Sequence, residues 1–277
     1  MSSFFPIPPN IFIEENSCKI YGSTSFLNTP NNRLKKSIFD KPYNTIIYLG
    51  LYSLTKQNWI LIKTFECNPH QFVEVHRKNF KVFDNQMLLL VPQTTNDFPP
   101  KVKELPRPAS LRIDKSPVEE RCSLNFYFKK SMTSYQGEYP FQMASLRKSS
   151  FFSFDGLKQI SKDKNSVNFT IFMNININSE SQEKVTIKVF NPHNKELKKN
   201  IIAQKNSFTI YRIEDENISG IKNKILFYTS NYSSFIPISL TVNLQTNQLS
   251  AEHTHPPSEL FFGNKSSVVK LIKKSWI

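Results

Sequence analysis

The chain has 277 residues, 39% of them hydrophobic and 13% aromatic, with 24 Phe and 10 Tyr but 6 Gly. This is the make-up of a chain that buries a core, at a length suited to two domains of roughly 100–150 residues each. No G-x-G pair occurs, which excludes a Rossmann fingerprint and a P-loop, and of the 36 basic residues behind the +14 net charge only seven are Arg, the residue favoured for base reading and bidentate phosphate contacts.

The charge comes from Lys, in a chain also crowded with Asn, Ile and Phe, and no RNA- or DNA-binding signature accompanies it. It reads as drift in composition. Binding of nucleic acid or anionic lipid through the lysines is therefore an alternative rather than the first expectation. Cys18, Cys67 and Cys122 are widely spaced with no C-x-x-C, so they are expected to be free thiols. The opening residues, Met1 to Pro9, lack a basic n-region and an unbroken apolar h-region, and nowhere do 18 apolar residues run together, so a cytoplasmic protein without a transmembrane segment is expected.

Along the chain, strand signals dominate. Thr45 to Leu54 is β-branched and aromatic, Thr55-Lys56-Gln57-Asn58 is a polar turn, and Trp59 to Phe65 continues as a strand, which predicts a hairpin. A strand is expected at Phe80-Lys81-Val82-Phe83 and another at Met87 to Val91. A Pro-rich crossing then runs from Pro92 to Arg121, of a length that marks a functional or mobile stretch, before strand material at Leu124 to Tyr127.

The same grammar predicts a second hairpin from Phe169–Ile177 and Lys184–Phe190, followed by a strand at Ser207–Ile213. Ile62-Lys63-Thr64-Phe65 leads to Asn68-Pro69-His70, and Ile187-Lys188-Val189-Phe190 leads directly to Asn191-Pro192-His193. One strand ending and one turn therefore appear twice. Asn-Pro starts turns well because proline fixes φ and pushes its predecessor to extended conformations, so His70 and His193 are read as turn residues. A weaker echo sets Ser134–Pro140 beside Ser250–Pro256. The expectation is an all-β chain of two tandem antiparallel β-sandwich domains, jelly-roll or Ig-like, that arose by internal duplication. The first would span 1–160 and include the crossing at 92–121, the second 161–263, with a basic C-terminal segment at 264–277 read as a last strand, a membrane-surface segment or, as its length favours, a short helix that docks on the domain.

Chemistry-bearing residues gather in few places. His253 and His255, two apart in an extended strand, would share a face with Cα atoms about 7 Å apart, within reach of one metal ion, and Glu259 could add a carboxylate. This His-x-His-x-x-x-Glu spacing resembles the first metal motif of the cupin family over these seven residues. The resemblance implies a divalent transition metal held in a β-barrel. The family's second motif has no counterpart, since Leu260 to Ile277 hold no His. No other cofactor is indicated.

Tyr135, Gln136, Glu138 and Tyr139 form the matching stretch of the first copy, read either as the half-buried face of a strand, which is the commoner fate of alternating aromatics, or as aromatic faces and a carboxylate suited to a sugar or a peptide. Gly137 among them marks a bulge or a close backbone approach. Glu74-Val75-His76 puts a carboxylate and an imidazole on one strand face, as an acid/base pair or as an ordinary surface pair. No G-x-S-x-G elbow and no H-E-x-x-H occurs.

Together these residues point to a non-enzymatic interaction protein that binds a glycan or protein partner through Tyr135, Gln136, Glu138, Tyr139, Glu252, His253 and His255. A metal-dependent enzyme built on His253, His255 and Glu259 is the alternative.

Overall fold

A computed structural model gives the fold and describes residues 3–28, 46–109, 122–137, 139–144, 150–154, 165–177, 183–190, 197–213, 225–229 and 235–253. Its elements in chain order are β1 (Ser3–Pro6), β2 (Ile11–Ile13), β3 (Cys18–Leu27), β4 (Ile47–Thr55), β5 (Asn58–Cys67), β6 (Phe72–His76), β7 (Leu88–Gln93), β8 (Lys101–Val102), β9 (Cys122–Phe128), β10 (Ser131–Gln136), β11 (Tyr139–Pro140) and the one-turn helix α1 (Phe141–Ala144). The order continues with β12 (Ser150–Phe154), β13 (Ser166–Asn174), β14 (Lys184–Phe190), β15 (Leu197–Gln204), β16 (Ser207–Ile213), β17 (Ile225–Thr229), β18 (Phe235–Asn243) and β19 (Gln248–His253).

The expected all-β class holds. Every pairing given for these strands is antiparallel, and among the described residues helical structure is confined to α1 and two 3-10 turns, Glu14–Asn16 and Arg77–Asn79. No described helix is long and apolar enough to cross a membrane.

The chain divides into two compact units, one of residues 1–127 and 134–144, the other of 128–133 and 145–277. In the first, one sheet has the order β11-β1-β7-β4-β5-β8. The other has the order β10-β9-β3-β2, with β6 also paired to β3 on the edge away from β9. Between them Phe5, Phe26, Ile47, Leu49, Leu51, Cys67, Val75, Leu88, Leu90 and Cys122 form a core drawn from both sheets. Such burial is the main stabilising contribution, about 25 cal/mol per Å² of apolar surface.

The second unit has sheets of order β12-β17-β14-β15 and β16-β13-β18-β19. Its core of Phe172, Val185, Ile187, Val189, Ala203, Tyr211, Ile213 and Phe235 again takes residues from both. The strand β12 lies before the 160/161 boundary expected from the sequence, and it pairs with β17.

The first predicted hairpin is present, with Thr55 opposite Asn58 and Lys56 at φ 57 in the tight turn. The second is not. β13 pairs with β16 and β18, whereas β14 pairs with β15 and β17, so the two segments that looked like hairpin partners sit in different sheets. Sequential strands with the right alternation need not pair, because the same pattern serves a strand that crosses to the facing sheet.

The two copies of the strand-and-turn motif consequently take different places: β5 lies between β4 and the two-residue β8, and β14 lies between β17 and the longer β15. His70 does occupy a turn, at φ 65, with the Gln71 N–H donating to the Asn68 carbonyl at 2.9 Å. His193 lies outside the described residues, as does the segment 264–277.

The strand expected at Phe80–Phe83 is also absent. The chain there packs around Arg77, whose guanidinium is 1% exposed and donates to the carbonyls of Ile7 (3.2 Å), Phe83 (2.6 Å) and Gln86 (2.5 Å). Burial pulls this group down to about 10, with Asp84 acting the other way, so it is charged at neutral pH. Carbonyls held by a side chain are not available for a ladder.

The Pro-rich crossing is anchored as far as Ala109: Phe98 lies over Gly50, the Tyr52 hydroxyl donates to the Pro99 carbonyl at 2.9 Å, and the Ala109 N–H donates to the Pro92 carbonyl at 2.8 Å. This covers the face of β4 that carries Tyr52, whose hydroxyl burial pushes up to about 12. The three cysteines are unbridged, and burial also raises the Cys67 thiol, opposed by the Asn28 backbone.

Candidate functional site

Side chains alternate across a strand, so the residues of β3 divide between two faces. Thr24 and Phe26 turn toward the core, where the Thr24 hydroxyl donates to the Pro6 carbonyl at 2.6 Å and Phe26 stacks on Phe5 with centroids 5.4 Å apart. Tyr21, Ser23, Ser25 and Leu27 take the outer face. In register with them lie His76 opposite Ser23, Glu74 opposite Ser25 and Phe72 opposite Leu27 on β6, and Tyr127 opposite Tyr21 and Asn125 opposite Ser23 on β9.

A closed polar network results. Glu74 Oε1 accepts from the Ser23 hydroxyl at 2.5 Å, the Tyr127 hydroxyl at 2.6 Å and Asn125 Nδ2 at 3.3 Å. The Asn125 amide also donates to Ser23 Oγ at 3.1 Å and to Ser25 Oγ at 2.5 Å. Glu74 Oε2 faces His76 Nε2 at 3.5 Å, with the two side chains 21% and 29% exposed. The His76 and Tyr127 rings lie 5.6 Å apart at 41°.

Ser23 and Asn125 are buried beneath the other groups, which fixes the rotamers of what shows at the surface: one carboxylate edge, one imidazole and one phenol. Burial works against the Glu74 charge, but the donors Ser23, Tyr127 and Asn125 and the neighbouring His76 outweigh it and hold the carboxyl below its ordinary range. Burial, then the bond to Glu74, pushes the Tyr127 phenol up.

Apolar and aromatic groups flank the network along the same face. Tyr21 is 40% exposed at one end, with Lys78 Nζ 5.9 Å from its ring centroid, and Leu27 and Phe72 are 47% and 59% exposed at the other. Tyr21 to Leu27 is six steps along β3, roughly 20 Å at about 3.3 Å per residue. Beyond Tyr21, Lys19 on the same face pairs with Asp84 at 3.8 Å.

Of the residues singled out from sequence, Glu74 and His76 are brought together as expected for one strand face. Tyr135 is half-buried and Gln136 exposed on β10. Tyr139 is fully buried, opposite Phe4, and is therefore a core residue that offers no ring to a ligand, a correction to its reading as a platform. Gly137 makes the close approach expected of it: its N–H donates to the Cys122 carbonyl at 3.0 Å, and an added Cβ would stand 2.0 Å from the Leu124 Cγ.

Glu252 is exposed on β19 opposite Ser239, and His253 pairs with Ile238. Glu138, His255 and Glu259 lie outside the described residues, so the expected metal-ligand trio has no described geometry. Among the described residues no three His, Cys, Asp or Glu side chains gather as a metal site. Ser23, Asn125 and Tyr127 had no signal in the sequence, because they reach Glu74 only through strand pairing across about fifty residues.

In comparisons with known proteins, no family model, no curated protein and no solved structure matches this chain.

Proposed function

We propose that the chain is a non-enzymatic recognition protein that binds a glycan on the outer face of the β6-β3-β9 sheet. The carrying observation is the network centred on Glu74, with exposed rings on either side of it. Aromatic faces offer stacking area to the C–H side of a sugar ring, and a fixed carboxylate, imidazole and phenol orient its hydroxyls. Three points favour binding over turnover. The Ser23 hydroxyl donates to Glu74 rather than to His76, so within the network no serine hydroxyl is paired with an imidazole base. Glu74 is held ionised, below the range suited to proton transfer at neutral pH. The groups beneath it are buried and mutually bonded, which suits a rigid template.

The two units are, on this reading, tandem β-sandwiches descended from one duplicated module. Strand order supports it. β1-β7-β4-β5 and β6-β3-β9-β10 in the first unit run as β12-β17-β14-β15 and β16-β13-β18-β19 do in the second, so β3 corresponds to β13, β4 to β14 and β5 to β15. This replaces the alignment of Ile62–His70 with Ile187–His193, which sets β5 against β14. The weaker echo fits better: Ser134 and Ser250 fall on β10 and β19, which correspond. The faces have diverged. In the second unit Val167, Phe169, Ile171, Ile238, Leu240 and Val242 are all buried where the first unit places its polar network, so recognition is assigned to the first unit alone.

The experiment is a glycan array probed with the full chain and with Tyr21→Ala and Glu74→Ala. Binding to a defined set of glycans that both substitutions abolish supports the reading; binding that survives both contradicts it.

A further inference from the structure

Within the sheet-face reading, on which this inference rests, the end of the face at Tyr21 carries a feature that a neutral sugar does not explain. Lys78, in the 3-10 turn that follows β6, holds its ammonium 5.9 Å from the Tyr21 ring centroid. That is where a stacked sugar would sit. A neutral ring stacked there would have to displace the cation and lose the cation–π attraction, whereas an anionic substituent on a sugar beside Tyr21 would leave the ammonium over the ring and gain an ion pair.

Two further observations act in the same direction. Lys19 stands two residues before Tyr21 on the same face, 44% exposed and paired at only 3.8 Å with an Asp84 that is itself 46% exposed. The Glu74 carboxylate, the one fixed negative charge in the network, already takes three hydrogen bonds and faces His76, so its charge is met within the network. The whole-chain charge of +14 adds long-range attraction for a negative ligand.

We propose that the ligand is an acidic oligosaccharide, with a carboxylate or sulfate held by Lys78 over Tyr21 and its neutral hydroxyls read by Glu74, His76 and Tyr127. Lys78 is then the residue that determines specificity. It is not an internal competitor for the ring.

The experiment is a calorimetric titration of the full chain with charged and uncharged forms of the same glycans: oligogalacturonate hexamer against its methyl ester, and a heparin-derived hexasaccharide against its desulfated, carboxyl-reduced form. Lys78→Ala, Lys78→Arg and, as a control for unspecific attraction to a basic protein, Lys184→Ala on the exposed side of β14 complete the set. The proposal expects an acidic member to bind about tenfold or more tighter than its neutral form, a loss of about that factor in Lys78→Ala, retention in Lys78→Arg and no change in Lys184→Ala. Equal or tighter binding of the neutral form, tighter binding by Lys78→Ala, or equal loss in Lys184→Ala overturns the acidic-ligand inference and leaves the sheet-face reading standing. No binding by any member, together with a blank glycan array, overturns both.

Discussion

The Tyr127 hydroxyl donates to Glu74 Oε1 at 2.6 Å across the width of β3, which lies between the strands that carry the two residues. One carboxylate thereby ties three neighbouring strands together through side chains, in addition to the backbone ladders. Under the proposed function the tie also pre-orders the surface, because a group fixed before binding costs less ordering entropy on binding.

Removing Glu74 takes the acceptor from the buried Ser23 hydroxyl, while the Asn125 amide keeps Ser23 Oγ and Ser25 Oγ. Glu74→Ala is expected to lower stability by about 1–3 kcal/mol, mostly through the stranded Ser23 hydroxyl. Chemical denaturation of the two proteins measures this; an unchanged midpoint would mean that the network contributes nothing to the fold.

The same carboxylate sets a pH dependence. Its folded-state pKa lies below the ordinary value of 4.5, so the stability it contributes is fully present above that value and is lost as pH falls through the folded one. Between about pH 6 and about pH 3 the native protein should therefore lose more stability than Glu74→Gln, which cannot titrate. Parallel slopes for the two proteins would place the acid sensitivity elsewhere.

Gly50 is held by a contact that admits no side chain. A Cβ there would stand 2.5 Å from Phe98 Cδ1, on the ring by which the Pro-rich crossing closes over β4. Gly50→Ala should cost about 1–3 kcal/mol, and adding Phe98→Ala should recover part of that cost rather than add to it in full. Additive losses would show that the ring does not rest on the glycine.

How much of this was legible in the sequence depends on sequence separation. The β4–β5 hairpin was readable because its turn residues and both strands are adjacent in the chain, and Glu74 and His76 could be set on one face from the period of two alone. Ser23, Asn125 and Tyr127 could not, since nothing local distinguishes a serine that meets a distant carboxylate from one that meets water. The second hairpin failed for a related reason. β13 is buried along nearly its whole length and β14 at alternate residues, in two sheets that share a core, and neither pattern says which strand is the partner. Phe80–Phe83 reads as β-branched and aromatic, and its backbone is claimed instead by Arg77.

That buried guanidinium gives a further expectation. Arg77→Lys should destabilise nearly as much as Arg77→Met, by about 2–4 kcal/mol, because a single ammonium cannot reproduce a planar fork that reaches three carbonyls. Thermal unfolding of the two variants decides it, and full recovery by lysine would reduce Arg77 to a buried charge without a geometric role.

The proposed duplication has its own consequence. An experimental structure in which the second unit is superposed on the first should bring β13 onto β3, β14 onto β4 and β15 onto β5. Superposition of β14 on β5 would restore the alignment through Asn68-Pro69-His70 and Asn191-Pro192-His193 and remove the strand-order argument.

The most direct measurement of the central claim is a map of amide chemical-shift changes in the full chain, titrated with the glycan that binds best on the array. The account predicts changes concentrated at Tyr21, Ser23, Glu74, His76, Asn125 and Tyr127. Changes confined to other strands, with these six residues unmoved at saturation, would contradict it.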